Sequence, residues 1–102
     1  MKNAASEALF VPSSAEAAHV LRADLRGILA RVVADSGLSQ TRTAKLCSTD
    51  QPTLSKILSG RTESVSADQL LRWLVQLGCE VDISIRNSPQ GCSGSIRASF
   101  HE

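Results

Sequence analysis

The chain reads as a small, mainly α-helical domain of four to five helices followed by a single C-terminal β-strand. Three observations predict this. Apolar residues recur at three- and four-residue spacing through most of residues 13–77, Ser or Asp precedes and Gly follows most of the helical stretches, and residues 80–86 change to strict alternation. A length of 102 residues suits one domain. With 42% hydrophobic and 21% charged residues the chain is neither a disordered nor a collagen-like sequence nor a disulfide miniprotein. One Trp, two Phe and no Tyr leave the core to aliphatic side chains.

Residues 1–12 mix Ala, Ser and Asn around one apolar patch, Leu9-Phe10-Val11, and stop at Pro12, which disfavours helix just before it. A flexible N-terminal arm is expected there. Ser13 with Glu16 fits a capping box, and Leu21, Leu25, Ile28, Leu29, Val32 and Val33 continue a long amphipathic first helix up to Gly37. Ser39 can cap a short second helix through Cys47. Ser48-Thr49-Asp50 interrupts it, and Asp50 can cap a third helix that runs to Ser59 and stops at Gly60. Pro52 is no obstacle, because N–H groups of a first turn have no intrahelical partner. Ser66 and Gln69 repeat the capping-box pattern, Val65 and Leu70 sit at hydrophobic-staple positions, and Leu70, Leu71, Trp73, Leu74 and Leu77 make a fourth helix that ends at Gly78. The helical domain is thus expected over residues 13–78.

Glu80-Val81-Asp82-Ile83-Ser84-Ile85-Arg86 alternates polar and apolar residues, with β-branched side chains on one face, and predicts a half-buried strand within residues 79–87. A lone strand leaves its ladder groups unpaired. Pairing with the same strand of a second copy about a two-fold axis satisfies them, so a homodimer is expected, with Val81, Ile83, Ile85 and Trp73 as dimerisation residues. Residues 88–102 begin Gly/Ser-rich and are expected to form a flexible, solvated tail.

The net charge of +1 conceals a local imbalance. Residues 38–61 carry Arg42, Lys45, Lys56 and Arg61 against Asp50 alone, while residues 62–102 are net acidic. Cys47, Cys79 and Cys92 are odd in number and share neither a CxxC unit nor zinc-ligand spacing, and His19 and His101 add no cluster, so no metal or cofactor is expected. No apolar run approaches the roughly 20 residues of a membrane span, and Lys2 before a broken apolar stretch makes a poor signal peptide, so the expected location is cytoplasmic. Scattered Ser, Cys47 and two distant His residues offer no convergent nucleophile, base and orienting group, and no catalytic residues are expected.

Two short helices joined by a three- or four-residue turn, with basic and polar residues on the second, describe a helix-turn-helix. Small Ala44 lets the helices approach, and Leu38, Leu46, Leu54, Ile57 and Leu58 are expected to set their crossing. The opposite face of the third helix carries Gln51, Thr53, Ser55 and Lys56, all able to bond to base edges or phosphates. The stretches Leu38-Ser39-Gln40-Thr41-Arg42-Thr43-Ala44-Lys45-Leu46 and Asp50-Gln51-Pro52-Thr53-Leu54-Ser55-Lys56-Ile57-Leu58-Ser59-Gly60-Arg61 resemble the paired helices of the Cro/CI-like, XRE-type helix-turn-helix family. With Leu70 to Gly78 and the strand after it, the chain is similar to small antitoxins of the HigA and HipB type over about residues 15–86. Two positions depart from the pattern: Ser48 stands where Gly is frequent, and Thr49 where an apolar residue usually follows. Ser48 is expected to hold a left-handed conformation at some cost.

The resemblance implies a dimeric, sequence-specific repressor bound to double-stranded DNA at an inverted repeat, which also neutralises a partner toxin. Gln40 resembles the family's phosphate-contacting Gln at a helix N-terminus. Gln51 holds a base-reading position and suits adenine N6 and N7, or is simply a solvated helix-start Gln. Lys56 can reach guanine O6 or N7, or a phosphate. Thr53 and Ser55 are placed against phosphate or a thymine methyl, Arg42 and Arg61 are candidate backbone clamps, and Ser59 completes the DNA-facing set. Asp50 is assigned to capping. The toxin is expected to meet the arm with Leu9, Phe10 and Val11 together with the first helix, although that patch can equally pack on its own domain. A stand-alone regulator and a protein-interaction module that binds no DNA are the competing readings.

Overall fold

A computed structural model describes residues 14–62 and 64–102. Four helices follow in order: α1 Ser14–Ser36, α2 Gln40–Leu46, α3 Gln51–Leu58 and α4 Ala67–Gln76. The expected arm over residues 1–12 and the Ser13 cap lie outside the described residues.

Each short helix starts where its cap dictates. Ser39 Oγ accepts from the Arg42 N–H at 3.1 Å, Asp50 Oδ1 from the Thr53 N–H at 2.8 Å and Ser66 Oγ from the Gln69 N–H at 3.0 Å. Pro52 falls in the first turn of α3. Val65 and Leu70 are both buried, as a staple requires. Only half of the Ser66 box forms, because the Gln69 side-chain carbonyl accepts from Arg72 at 3.1 Å instead of turning back to the cap.

The three short helices end alike. After α3 the Gly60 N–H donates to Ile57 C=O and the Arg61 N–H to Lys56 C=O, and after α4 the Gly78 and Cys79 N–H groups repeat the pattern on Val75 and Leu74. These are Schellman closures with glycine at φ +76° and +97°. After α2 the same pair of bonds runs from Ser48 to Lys45 C=O and from Thr49 to Ala44 C=O, with Ser48 at φ +58°. The left-handed turn therefore forms on a serine.

The core lies where α1 crosses the other helices. Leu25, Leu29 and Val33 make the α1 stripe, packed against Leu70, Trp73 and Leu74 of α4 and Leu54 and Ile57 of α3. Each such large apolar side chain, fully buried, contributes about 1.5–3 kcal/mol. Ala44 is almost completely buried, consistent with close approach of α2 to α3. Leu38 and Leu46, expected to help set that crossing, instead stand exposed at 38% and 42%. Helical phase explains Leu46, because Thr43, Ala44 and Cys47 share the inward face, where the Thr43 hydroxyl is satisfied by donating to Ser39 C=O at 2.8 Å; Leu38 lies before the helix begins. Trp73, expected at a dimer interface, is 4% exposed inside its own chain and has almost no surface left for a partner.

Among the described residues there is no strand. Residues 79–87 run without helix or ladder, because the single chain holds nothing for that segment to pair with, and Val81, Ile83 and Ile85 stay on the surface. A turn follows in which the Cys92 N–H donates to Pro89 C=O at 3.0 Å with Gly91 at φ +86°. The last residues, expected to be a solvated tail, return to α1. Arg97 forms a bidentate pair with Asp24 at 2.8 and 3.2 Å, and the Ala98 N–H donates to the same carboxylate at 2.9 Å. Arg31 pairs with Glu102 and lies 5.9 Å from the centroid of the Phe100 ring.

Candidate nucleic-acid interface

The exposed face of α3 is built from both of its ends. At the N-terminal end Asp50 is occupied with capping: the Thr53 N–H, then the Thr53 hydroxyl and the Lys56 ammonium, hold its carboxyl below the ordinary value of 3.8. Its charge is therefore spent on helix donors, as the capping assignment requires. Beside it the Gln51 side-chain Nε2 donates to Gln40 Oε1 at 2.8 Å, joining the first residue of α3 to the first residue of α2.

That bond sorts the amide groups. Gln51 retains its carbonyl oxygen and one N–H, the pair needed to accept from adenine N6 and donate to N7. Gln40 retains both hydrogens of its own NH₂ group, a phosphate-type donor beside a helix N-terminus.

At the C-terminal end, Arg61 Nε donates to Ser59 Oγ at 2.8 Å and its Nη2 to Ser55 Oγ at 3.3 Å. The two serines lie one turn apart on α3 and hold the guanidinium along the helix, which leaves further N–H groups for an anion. Sequence reading assigned Ser55 and Ser59 to DNA directly; in the structure their hydroxyls position Arg61. Thr53, Lys56 and Arg42 are exposed, and Lys56 and Arg42 make no side-chain salt bridge among the described residues. Arg31, Arg72 and Arg97, away from this face, are each paired with a carboxylate. Arg42 and Lys56, with the remaining N–H groups of Arg61, are thus open to an external anion.

One cation was missed. A β-carbon on Gly60 would lie 3.8 Å from Arg26 Nε, so Arg26 reaches from α1 to the turn that ends α3, close in sequence to Arg61. Its spacing within α1 marks it only as a flank of the buried stripe, and nothing local in the sequence points to α3. Trp73, Val81, Ile83 and Ile85 are not part of this face. Among the described residues no group of His, Cys, Asp or Glu could hold a metal ion, and no helix is long and apolar enough to cross a membrane. Burial pushes the Cys47 thiol pKa up, which suits a core thiol rather than a reactive one.

Two short capped helices in close contact, with a polar and cationic outer face on the second, define a helix-turn-helix module. The model of the helix-turn-helix domain family matches residues 10–86, and the chain belongs to that family. A solved structure that bears the name XRE family transcriptional regulator is similar to it, at 27% identity and a TM-score of 0.68 over 80% of this chain and 91% of that one. No curated protein matches the chain.

Proposed function

We propose that the protein is a dimeric, sequence-specific transcriptional repressor, working in the cytoplasm on the nucleoid, and the antitoxin of a toxin–antitoxin module. The observation that carries the DNA-reading part is the Gln40–Gln51 bond. An unsupported Gln on a helix surface samples several rotamers, whereas this one is held with one donor and one acceptor free, in the pattern that recognises adenine. Lys56, one turn further along α3, reaches a guanine edge or a phosphate, and Thr53 a phosphate or a thymine methyl. Arg42, Arg61 and the Gln40 NH₂ group grip the backbone, Arg61 supported by Ser55 and Ser59. Two subunits put their α3 helices into successive major grooves about 34 Å apart on an inverted repeat, and occupancy of the promoter blocks transcription.

The antitoxin part is supported by the similarity of residues 38–61 and 70–86 to HigA- and HipB-type antitoxins. A stand-alone regulator is favoured by a different observation, the similarity to a solved XRE family transcriptional regulator. One experiment separates them. The tagged chain, expressed at native level, is captured with and without nuclease; protein partners are read by mass spectrometry and DNA by sequencing. A stoichiometric small protein that survives nuclease, together with DNA from the chain's own promoter, is the expected result. DNA with no other protein would leave a stand-alone repressor, and a protein partner without DNA would overturn the base-reading roles of Gln51 and Lys56.

A further inference from the structure

Arg26 stands on α1 between Leu25 and Leu29 of the buried stripe, is itself half-buried, and makes no hydrogen bond or ion pair among the described residues. The acidic residues that flank it on α1 are engaged elsewhere. Asp24 holds Arg97 and the Ala98 N–H, and Asp35 holds Arg31. The Arg26 Nε lies 3.8 Å from where a β-carbon on Gly60 would stand, so the side chain ends at the turn that closes α3. Capping α3 does not account for it. Of the last four carbonyls of that helix, Ser55, Lys56 and Ile57 already accept from the Ser59, Arg61 and Gly60 N–H groups, and the Ser59 hydroxyl donates to Lys56 C=O as well. The guanidinium is thus partly desolvated with its donors unmet, an arrangement that favours arrival of an anion.

The neighbouring cation indicates which anion. Arg61, the residue after Gly60, grips the DNA backbone in the proposed function, with its guanidinium drawn back along α3 over Ser59 and Ser55. Arg26 comes to the same end of α3 from a different helix, at Gly60 rather than over the two serines. We propose that Arg26 is a further DNA-backbone contact, which binds a phosphate of its own at the C-terminal end of α3 beside the one held by Arg61. The planar fork of an arginine suits a phosphate oxygen pair. Because phosphates carry no sequence, Arg26 would fix how α3 sits in the groove without reading a base. The competitor inside the chain is Glu63, three residues beyond Gly60 and outside the described residues.

This role for Arg26 rests on the proposed DNA reading, yet it can fail while that reading stands. Fluorescence anisotropy of the full chain across a salt series measures affinity for two labelled duplexes, one carrying the DNA upstream of its own reading frame and one of scrambled sequence. Arg26→Gln keeps the stem and removes the charge, and should lower the slope of log affinity against log salt by about 0.9 for each bound subunit on both duplexes. Arg26→Lys should keep the slope, and so should Arg72→Ala, whose cation pairs with Asp68 on α4. Arg26→Gln combined with Arg61→Ala should lower the slope by about twice as much as either alone. The urea midpoint should stay at the wild-type value. A slope that Arg26→Gln leaves unchanged would overturn the contact and leave the DNA reading standing; a lower midpoint shared with Glu63→Gln would then make Arg26 a partner of Glu63. A loss on one duplex alone would make Arg26 a base reader, and a double variant no weaker than the singles would deny it a phosphate of its own. A wild type bound to neither duplex would overturn the contact and the DNA reading together.

Discussion

At Ser48 a β-carbon stands where the backbone turns left-handed, at φ +58°, and the two equivalent turns after α3 and α4 use glycine. The left-handed region costs a residue with a side chain about 1 kcal/mol or more relative to glycine. Ser48→Gly should therefore stabilise the protein by about 1 kcal/mol, read as a higher urea midpoint with unchanged slope; an unchanged or lower midpoint would show that the serine is not strained there. This strain was legible in the sequence, because the spacing between the two caps leaves one position for the turn and that position is not glycine. The Gln40–Gln51 bond was not. Both residues were singled out, yet their contact across eleven positions depends on the angle at which α2 meets α3. The Arg61 clamp on Ser55 and Ser59 was equally hidden, since Arg61 lies beyond the helix end and its side chain folds back along it.

Helix by helix, the caps were the legible part: Ser39, Asp50 and Ser66 each accept the N–H that sequence spacing assigns to them. Which face of α2 turns inward was not legible. Leu46 is the more hydrophobic candidate, but Thr43, Ala44 and Cys47 fit the narrow space against the neighbouring helices and leave Leu46 in water. The C-terminal strand failed to appear for a related reason, since alternation specifies a face to be buried without specifying that one chain contains the partner. Asp24 organises the return of the chain to α1. The Arg97 side chain, then the Ala98 N–H, hold its carboxyl below the ordinary value of 3.8, so its docking contribution is complete above that value and is lost as pH falls through the lowered one. Docking of residues 97–102 should thus be constant through neutral pH and be released only in acid below the ordinary carboxylate range. Hydrogen exchange at the Ala98 amide checks this: Asp24→Asn should accelerate it at neutral pH, and a wild-type rate unaltered by acid would remove Asp24 from this role.

Over the whole molecule, a chain of nearly balanced charge concentrates cations in its helix-turn-helix. Arg42, Lys45, Lys56 and Arg61 lie within the helix-turn-helix, and Arg26 joins them from α1. Binding to DNA should accordingly fall steeply with salt. Arg61→Ala should weaken all sequences alike and lower the slope of log affinity against log salt by about 1 per subunit, since a phosphate clamp carries no sequence information. A loss confined to one base position would instead make Arg61 a base reader. Base reading by α3 through a Gln51 held by Gln40 is measured by selecting binding sites from random duplexes. Wild type should enrich an inverted repeat with half-sites about one helical turn apart. Gln51→Ala should lose the preference at one base pair in each half-site, by about 1–3 kcal/mol, and Gln40→Ala should relax that same position while also weakening binding overall. No enriched repeat, or an identical one selected by wild type and Gln51→Ala, would rule out base reading by Gln51.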